Sequence, residues 1–506
     1  MVFEVVDLFS GPGGLSEGFR AAGQTSRAKA KISLSVEVNE WAVQTLRQRA
    51  FQTMEGPDAQ LLENISLVAG MVETPDWSET APARWKKTRQ EVVQLELGGE
   101  NAWETIAPKL GAIRERANGN TILIGGPPCQ AYSLVGRARN RGKACYIPED
   151  DHRHYLYCEY VRILAELRPA AFIMENVKGI LSSHVNGGGI FQRILDDLSG
   201  AADGYVLVPL TLPVDAGRKL TPKDFLIRAE QYGIPQKRHR VIILGVRSDL
   251  LGLLPQGRVL LTPDGSNASI GVGQALVGLP RLRSGLSSKD STPSWQDAIK
   301  THLAEIQKLS SISEETRTAI REVEREFPEK MPQNRFSHAF DAIPESGIKF
   351  QSWVSSKNLT LLANHETRGH RQDDLARYLF AASFARAHGT SPKLPDFPEE
   401  LLPNHKNRDS GKFSDRFRVQ LENSPSKTVT SHISKDGHYF IHPDPIQCRA
   451  LTVREAARLQ TFPDDYLFMG PRTEQYKQVG NAVPPLLAYQ IAKSVLNMLS
   501  GTDLNV

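Results

Sequence analysis

Residues 7–19, DLFSGPGGLSEGF, decide the fold class of this chain. They lie where a short apolar run, Phe3–Phe9, meets a segment, Leu15–Ala22, whose apolar residues recur every three or four positions. A buried strand therefore leads through a glycine-rich turn into a helix, and the glycines let the backbone turn tightly and approach a ligand closely. The turn has neither the G-x-G-x-x-G pattern nor the Lys-Ser/Thr of a phosphate-binding P-loop. It therefore predicts the first crossover of a nucleotide-binding sheet that holds an adenosine-containing cofactor other than a triphosphate.

The alternation of strand and helix continues through the first half of the chain. Short runs rich in Val, Ile and Phe predict buried strands at Phe3–Phe9, Ile32–Val38, Thr121–Ile124, Ala171–Met174 and Val241–Val246. Helical spacing of apolar residues predicts helices at Leu15–Ala22, Trp41–Phe51, Tyr155–Leu167 and Ile190–Leu198. Strands that alternate with helices predict an α/β fold with a doubly wound, mostly parallel sheet. Ligands of such sheets bind beyond the carboxyl ends of the strands.

Two interruptions of this pattern predict the domain organisation. Between about residues 52 and 120 the pattern is mixed and indicates an insertion that contains a further strand. From residue 251 to 448, Gly- and Ser-rich text and polar, histidine-bearing segments replace the alternation. We therefore expect a catalytic domain over 1–250, a second, smaller domain over 251–448, and a return to the catalytic domain over 449–506.

The closing stretch returns to regular structure. Thr452 and Glu455 form the Thr-x-x-Glu of a capping box ahead of an apolar-periodic helix. After GNAVPP, residues 480–485, apolar residues recur every four positions up to Leu499, and the prolines suit a first helical turn. We expect this last helix to pack back on the sheet.

The composition is that of a folded protein from a reducing compartment. Of the 506 residues, 40% are hydrophobic and 23% are charged, which permits a large core. The net charge of +4 does not by itself favour nucleic acid, so a polyanion site must arise from local clustering. The 4 cysteines are too few for a disulfide framework, and no apolar run predicts a membrane span. We expect an intracellular, cytoplasmic protein that needs no metal.

Two residues mark the edge where the strands end. Glu37 closes the second predicted strand, where a carboxylate can accept hydrogen bonds from ribose hydroxyls, although a solvated glutamate is the simpler explanation. Farther on, GGPPCQ, residues 125–130, follows another strand, and the two prolines fix the backbone that presents Cys129. A thiolate is nucleophilic where positive charge favours it. The cations that follow are Arg137, Arg139, Arg141 and Lys143. The alternative is a buried, inert cysteine beside a solvated basic loop.

Two further motifs fall at the same edge. MENVKGIL places Glu175 at the end of a buried strand, a costly position for an unpaired carboxylate and a suitable one for a proton donor. QKRHRVIILGV places Arg238 and Arg240 on one face if the strand begins there. Arginine offers paired donors for a carbonyl oxygen or a phosphate. An ordinary surface ion pair is the alternative for each motif.

The ordered series of motifs closely resembles the DNA cytosine methyltransferases that modify ring carbon 5. The motifs are DLFSGPGG, PPCQ, ENV, QKRHR, RALTVREAARLQTFP and QVGNAVPP. They lie between Asp7 and Val246, then resume at Arg449, so that the middle region is outside the resemblance. The resemblance implies S-adenosylmethionine as cofactor and double-stranded DNA as substrate, for a monomer that belongs to a restriction–modification system or acts as an orphan methylase.

The resemblance also implies the catalytic residues. Cys129 would add to carbon 6 of the cytosine as the nucleophile, which makes carbon 5 reactive. Glu175 would contact the ring nitrogen and the exocyclic amine. Arg240 would hold the ring carbonyl, with Arg238 in support.

The cofactor residues implied by the resemblance come from three motifs. Phe9, Gly11, Gly14 and Leu15 would line the S-adenosylmethionine pocket. Glu37 would bind the ribose, and Asn481 would reach the cofactor from the last motif. The family also has an acidic residue after the third strand that faces the adenine amine, and residues 52–120 offer no clear match for it.

DNA recognition is expected from two other parts of the chain. A base inside a duplex cannot reach such a pocket, so the nucleotide must swing out of the stack. We expect the basic run 136–143 to close over the DNA, with Ser133 or a neighbour filling the vacated space, while the middle domain reads base edges in the major groove. Candidates there are Arg335 and the cluster HETRGHR, residues 365–371, although a solvated face is the simpler explanation.

Two rival functions remain open at this point. A tRNA cytosine-5 methyltransferase of the same fold shares Pro-Pro-Cys and Glu-Asn-Val, but its middle region is expected to be short. A catalytically silent binding module would be expected to lose the nucleophile or the acid, and both Cys129 and Glu175 are present. We therefore favour the DNA methyltransferase.

Overall fold

The computed structural model describes residues 1–54, 77–128, 156–185, 188–202, 204–215, 218–263, 269–341, 349–355, 361–404 and 414–501. The elements of the first half are β1 (Val2–Leu8), α1 (Gly14–Thr25), β2 (Lys29–Glu37), α2 (Glu40–Thr53), α3 (Trp77–Thr80), α4 (Pro82–Glu91), β3 (Val92–Gln94), α5 (Ala102–Ala117), β4 (Thr121–Gly125), α6 (Leu156–Leu167), β5 (Ala171–Val177), β6 (His184–Val185), β7 (Gly188–Gly189), α7 (Ile190–Gly200), β8 (Tyr205–Val208), β9 (Leu226–Arg228), β10 (Gln236–Lys237) and β11 (His239–Arg247).

The second half is mainly helical. Its elements are α8 (Val272–Leu276), β12 (Gly285–Leu286), α9 (Thr292–Gln307), α10 (Glu314–Lys330), α11 (Lys349–Val354), β13 (Gly369–His370), α12 (Gln372–His388), β14 (Ser426–Lys427), α13 (Val453–Leu459), α14 (Arg472–Asn481) and α15 (Pro485–Leu499).

An eight-stranded sheet forms the centre of the first half. Its order is β3-β2-β1-β4-β5-β11-β8, and β9 pairs with β11. Strands β1 to β5 pair in parallel, whereas β11 runs antiparallel to β5, β8 and β9. The predicted α/β class and mostly parallel sheet are confirmed. The carboxyl ends of β1, β2, β4 and β5 therefore meet at one edge, as the sequence predicts for the site.

Two hydrophobic cores cover the two faces of this sheet. Successive residues of β1 point to opposite sides, so that Val5 packs with α1 and α15 while Val6 packs with α5 and α6. The last helix was predicted to return to the sheet, and Leu487 and Ile491 lie fully buried in the first of these cores. Burial of one such side chain stabilises the fold by about 1.5–3 kcal/mol.

The middle region has a separate core. Helices α9, α10 and α12 pack around Trp295, which is fully buried. A further cluster joins this region to the catalytic half, because Val429 packs with Leu459 of α13 and Val479 of α14. The domain boundaries at residues 250 and 448 stay predictions.

The mixed stretch between residues 52 and 120 holds the strand that the sequence indicates without locating it. It is β3, which pairs with β2 through Ser35, Val36 and Glu37. Pro82 opens α4, and the pairing of β3 places this stretch at the edge of the main sheet. Residues 55–76 are outside the described part of the chain.

Candidate active site

The glycine turn after β1 contains residues in the left-handed backbone conformation. Phe9 and Gly11 both have φ of 54°. The left-handed conformation costs a non-glycine residue such as Phe9 about 1–3 kcal/mol, which is typical of a residue constrained by function. The side chain of Leu15 is buried in the core, so its main-chain amide in the first turn of α1 is the group that a ligand could use.

Residues from the end of the chain hold this turn in place. The Tyr466 hydroxyl donates a hydrogen bond to the carbonyl oxygen of Pro12. A Cβ atom on Gly14 would lie 2.0 Å from the carbonyl oxygen of Val483, so only glycine fits there. The glycine turn and the GNAVPP motif therefore pack directly against each other.

Asp7 lies beneath the turn with no exposed surface. The Ser16 hydroxyl donates to its carboxylate, and the Ser10 hydroxyl donates to its carbonyl oxygen over 2.9 Å. Burial raises the pKa of Asp7 to about 7, although the hydrogen bond from Ser16 opposes this shift. The sequence interpretation used the glycines of this motif and overlooked Asp7, whose signal was an acid inside a buried strand.

The carboxylate of Glu37, the residue predicted to bind the ribose, is held by two main-chain amides. Its carboxylate accepts hydrogen bonds from the Gly11 amide at 2.8 Å and the Asn39 amide at 2.9 Å. This arrangement fixes the carboxylate at the end of β2 beside the glycine turn and leaves lone pairs for ligand hydroxyls. Asn481 is an exposed residue at the end of α14.

The edge beyond β3 contains an acid that the sequence interpretation did not assign. The Leu95 amide donates to the carbonyl oxygen of Glu37, which continues the β2–β3 pairing by one residue. The exposed Glu96 follows directly, at the same edge as Glu37. Its signal was the sequence VVQLEL, an apolar run that ends in an acid, hidden within a segment of mixed pattern.

Glu175 and Arg240 meet at the carboxyl end of β5. Their side chains form an ion pair, with Arg240 Nε 2.7 Å from Glu175 Oε1. The antiparallel pairing of β11 with β5 brings them together, since Ile242 lies opposite Glu175 and Arg240 lies opposite Val177. Burial lowers the pKa of Arg240, and the neighbouring carboxylate opposes this shift.

The loop that leaves β4 starts against this pair. A Cβ atom on Gly126 would lie 2.9 Å from Glu175 Oε2, and the Asn176 side-chain amide donates to the Pro127 carbonyl oxygen over 3.1 Å. Asn176 therefore anchors the Pro-Pro segment beside the carboxylate. Cys129 itself, Ser133 and the basic run 136–143 lie outside the described residues.

Arg238 occupies a different position from Arg240. Its side chain is fully buried and donates to the carbonyl oxygens of Val429 at 2.7 Å and Gly480 at 3.2 Å. Burial and the nearby Arg240 lower the pKa of Arg238. Arg238 therefore fastens the middle region and the last motif behind the site, which corresponds to a positioning role.

Most of the candidate base-reading residues of the middle region contact other parts of the protein. Arg335 contacts Asp290 at 3.1 Å and donates to the Thr367 carbonyl oxygen. Arg368 donates to the carbonyl oxygens of Ile433 and Lys435. His365 and His370 are buried. These contacts favour structural roles for Arg335, Arg368 and the two histidines, whereas the side chain of Arg371 is 75% exposed.

Two kinds of feature are absent from the described ranges. Within them, no cluster of three or more His, Cys, Asp or Glu side chains is arranged to bind a metal ion. None of the helices in these ranges combines the length and apolar character needed to cross a membrane.

The chain is similar to known methyltransferases over most of its length. A family model described as C-5 cytosine-specific DNA methylase matches residues 106–497. Type II methyltransferase M.Bpa9945I of Bacillus paralicheniformis is 33% identical over 516 residues, which cover 98% of this chain and 99% of that protein. Type II methyltransferase M.AgeI of Thalassovita gelatinovora is 27% identical, with 97% and 99% covered. A solved E. coli prophage protein, assigned as a DNA modification methyltransferase, is 21% identical, with 98% and 99% covered and a TM-score of 0.55, and shows the fold alone.

Proposed function

We propose a mechanism for this chain, which belongs to the C-5 cytosine-specific DNA methylase family. It is a DNA (cytosine-5) methyltransferase. Our proposal is that it transfers the methyl group of S-adenosylmethionine to carbon 5 of a cytosine extruded from duplex DNA, through a covalent adduct with Cys129.

One observation supports this proposal above the others. The Glu175–Arg240 pair lies at the carboxyl edge of the sheet, and Asn176 ties Pro127, two residues before Cys129, to the same place. The Glu175 carboxylate, the Arg240 guanidinium and the segment that leads to Cys129 thus lie together at the edge where sheets of this kind bind ligands.

The described residues fit S-adenosylmethionine. Glu37 would bind the ribose hydroxyls, the first-turn amides of α1 after Gly11 would face the amino acid portion, and Asn481 would approach from the other side. Glu96, at the edge beyond β3, would face the adenine amine and thereby supply the acid that the sequence did not locate. When bound, S-adenosylmethionine supplies an electrophilic methyl group, which carbon 5 accepts.

The chain's own residues would make carbon 5 reactive. Glu175 first takes up a proton from solvent. The Cys129 thiolate then forms a bond to carbon 6 while Glu175 passes this proton to the ring nitrogen, and the electron pair of the 5,6 double bond becomes available as an enamine. Arg240 donates through Nη2 to the ring carbonyl and holds Glu175 through Nε. After methylation, a base removes the carbon 5 proton, which restores the 5,6 double bond and expels the Cys129 thiolate, and the ring nitrogen returns its proton to Glu175. The sheet edge holds these groups in place before the base arrives.

The biological setting is also part of the proposal. Several relatives carry the name Type II methyltransferase, which supports a role in restriction and modification, with a partner endonuclease or as an orphan methylase. We propose a monomer that works on double-stranded DNA in the cytoplasm.

The test compares the wild-type chain with Cys129→Ser. Each is incubated with labelled S-adenosylmethionine and either duplex DNA or tRNA, and bisulfite sequencing then maps the modified cytosines. We expect label on duplex DNA, which the substitution reduces at least 100-fold, in keeping with loss of a nucleophile.

A second arm tests the covalent step. A duplex that carries 5-fluorocytosine blocks loss of the carbon 5 substituent, so the wild-type protein should form a conjugate that survives denaturation, and Cys129→Ser should not. Label on tRNA alone would contradict the DNA assignment. Label on DNA without a conjugate would contradict the adduct.

A further inference from the structure

A small parallel ladder joins the middle region to the catalytic half. Strand β14 pairs with β10, with Lys427 opposite Lys237. The Ser426 amide donates to the Pro235 carbonyl oxygen at 2.9 Å, and the Thr428 hydroxyl donates to the Lys237 carbonyl oxygen at 2.6 Å. The catalytic strand that carries Arg240 begins directly after this ladder.

The ladder has one buried and one exposed face. Gln236 and Ser426 are almost fully buried, whereas Lys237 and Lys427 are exposed. Registered residues of parallel strands point to the same side, so two lysines face solvent side by side. Like charges placed directly opposite each other destabilise a sheet.

Arg418 adds to this positive surface, which we call the basic junction and define as Lys237, Lys427 and Arg418. Burial lowers the pKa of Lys427, and the neighbouring charges of Arg418 and Lys237 lower it further. Among the ion pairs of the described residues, neither lysine has an acidic partner, and Arg418 pairs with Asp415. Three positive groups and one carboxylate leave two uncompensated positive charges.

The backbone holds the basic junction rigidly. The Lys427 amide donates to Gln420 Oε1 at 2.9 Å, and Gln420 Nε2 donates to the Tyr439 carbonyl oxygen at 2.7 Å. Gln420 is 1% exposed. The backbone that carries Lys427 is therefore held in place, which lowers the ordering cost of binding a phosphate there.

Lys237 lies close to Arg240 in the chain. Lys237 precedes Arg240 by three residues, so the two Cα atoms are at most about 10 Å apart. Duplex DNA carries one negative charge per about 1.7 Å of its axis, so the phosphates on either side of a cytosine held at Arg240 are closely enough spaced for one to come near Lys237.

We propose that the basic junction binds the DNA backbone phosphates that flank the extruded cytosine. The inference rests on duplex DNA being the substrate, as in the proposed function. Its contribution is independent of base sequence, because lysine presents a point charge to phosphate.

The test measures the affinity of Lys237→Gln, Lys427→Gln and the double variant for a labelled duplex between 50 and 200 mM salt, roughly the range in which phosphate contacts dominate. Each phosphate contact contributes about 0.9 to the slope of log K against log salt, so each substitution should flatten the slope by about 0.9 and weaken binding about eightfold at about 0.1 M salt. The double variant should lose about 60-fold. The loss of affinity should be equal for a duplex that contains the site methylated by the wild type and for a duplex of unrelated sequence.

Lys31→Gln is the matched control. Lys31 is an exposed lysine of β2 that lies near the opposite end of the sheet, so the same loss of charge should leave the slope unchanged. Unchanged slopes in the junction variants would overturn the inference, as would a loss confined to the recognised sequence. If the wild-type chain methylates DNA but the junction variants have the same slope of log K against log salt as the wild type, this inference alone is contradicted. If the wild-type chain does not methylate DNA, the proposed function is contradicted.

Discussion

Gly14 illustrates how much of the site depends on single side chains. Its lack of a Cβ atom lets the Val483 carbonyl oxygen approach the first turn of α1. Glu175 depends on a partner in the same way, because Arg240 compensates a carboxylate that would otherwise be costly to bury. In both cases a residue type that the motif specifies meets a neighbour that lies far away in sequence.

Gly14→Ala should weaken both the fold and cofactor binding. The added Cβ atom would lie 2.0 Å from a backbone oxygen, so the backbone must shift. We expect a loss of about 1–3 kcal/mol in the free energy of unfolding, and weaker binding of S-adenosylmethionine by isothermal titration calorimetry.

Gly111→Ala provides the matched control for this prediction. Gly111 lies inside α5, and nothing is within 4 Å of its added Cβ atom. This substitution should raise the free energy of unfolding by about 0.5–1 kcal/mol. Equal behaviour of the two alanine variants would contradict the proposed close packing at Gly14.

Helix α13 is short, yet it organises the junction between the two halves. Its capping box forms as the sequence predicts, since the Thr452 side chain accepts from the Glu455 amide at 3.2 Å and Glu455 accepts from the Thr452 amide at 2.7 Å. The same Glu455 also receives two hydrogen bonds from Arg449, at 2.6 and 2.7 Å. Arg449 holds the pKa of Glu455 well below its usual range despite burial.

Glu455→Gln should therefore be strongly destabilising. The substitution leaves Arg449 buried without its countercharge, which costs about 3–5 kcal/mol. Urea denaturation at pH 7 measures the loss. In Glu314→Gln, the matched control, the lost ion pairs with Arg317 and Arg321 lie at the surface, and stability should change by less than about 1 kcal/mol. A loss of the same small size in both variants would contradict the role assigned to Glu455.

The stability of the entire chain should depend on pH through its buried histidines. His365 is 3% exposed, and its ring bonds to Thr452 at 2.9 Å and to the Pro280 carbonyl oxygen at 3.0 Å. Burial lowers the pKa of His365 from 6.5 to about 4. The unfolded state then binds more protons than the folded state between these pH values.

The free energy of unfolding should consequently fall as the pH is lowered from about 6.5 to about 4, by up to about 3 kcal/mol for His365. Urea denaturation at several pH values gives this slope. His365→Gln should reduce the slope by about 1.4 kcal/mol per pH unit, whereas His432→Gln, at an exposed position, serves as the control. An unaltered slope in His365→Gln would show that another group carries the acid sensitivity.

The sequence by itself determined the α/β class, most strands and helices of the first half, the return of the last helix and the family. These features depend on residues that are close in the chain, because apolar periodicity and turn residues act over one or two turns of structure. The order of motifs added the residue types of the site.

Only the tertiary structure decided which of these residues meet. Arg238 and Arg240 are equivalent in the sequence, as alternate arginines of one motif. In the structure, Arg238 donates to the carbonyl oxygens of Val429 and Gly480, whereas Arg240 pairs with Glu175. The pairing of β3 with β2 places Glu96 at the edge that carries Glu37, and the pairing of β14 with β10 places Lys427 beside Lys237. Such contacts join residues that are far apart in the chain, and their energies depend on burial and on partner charges that no local pattern contains.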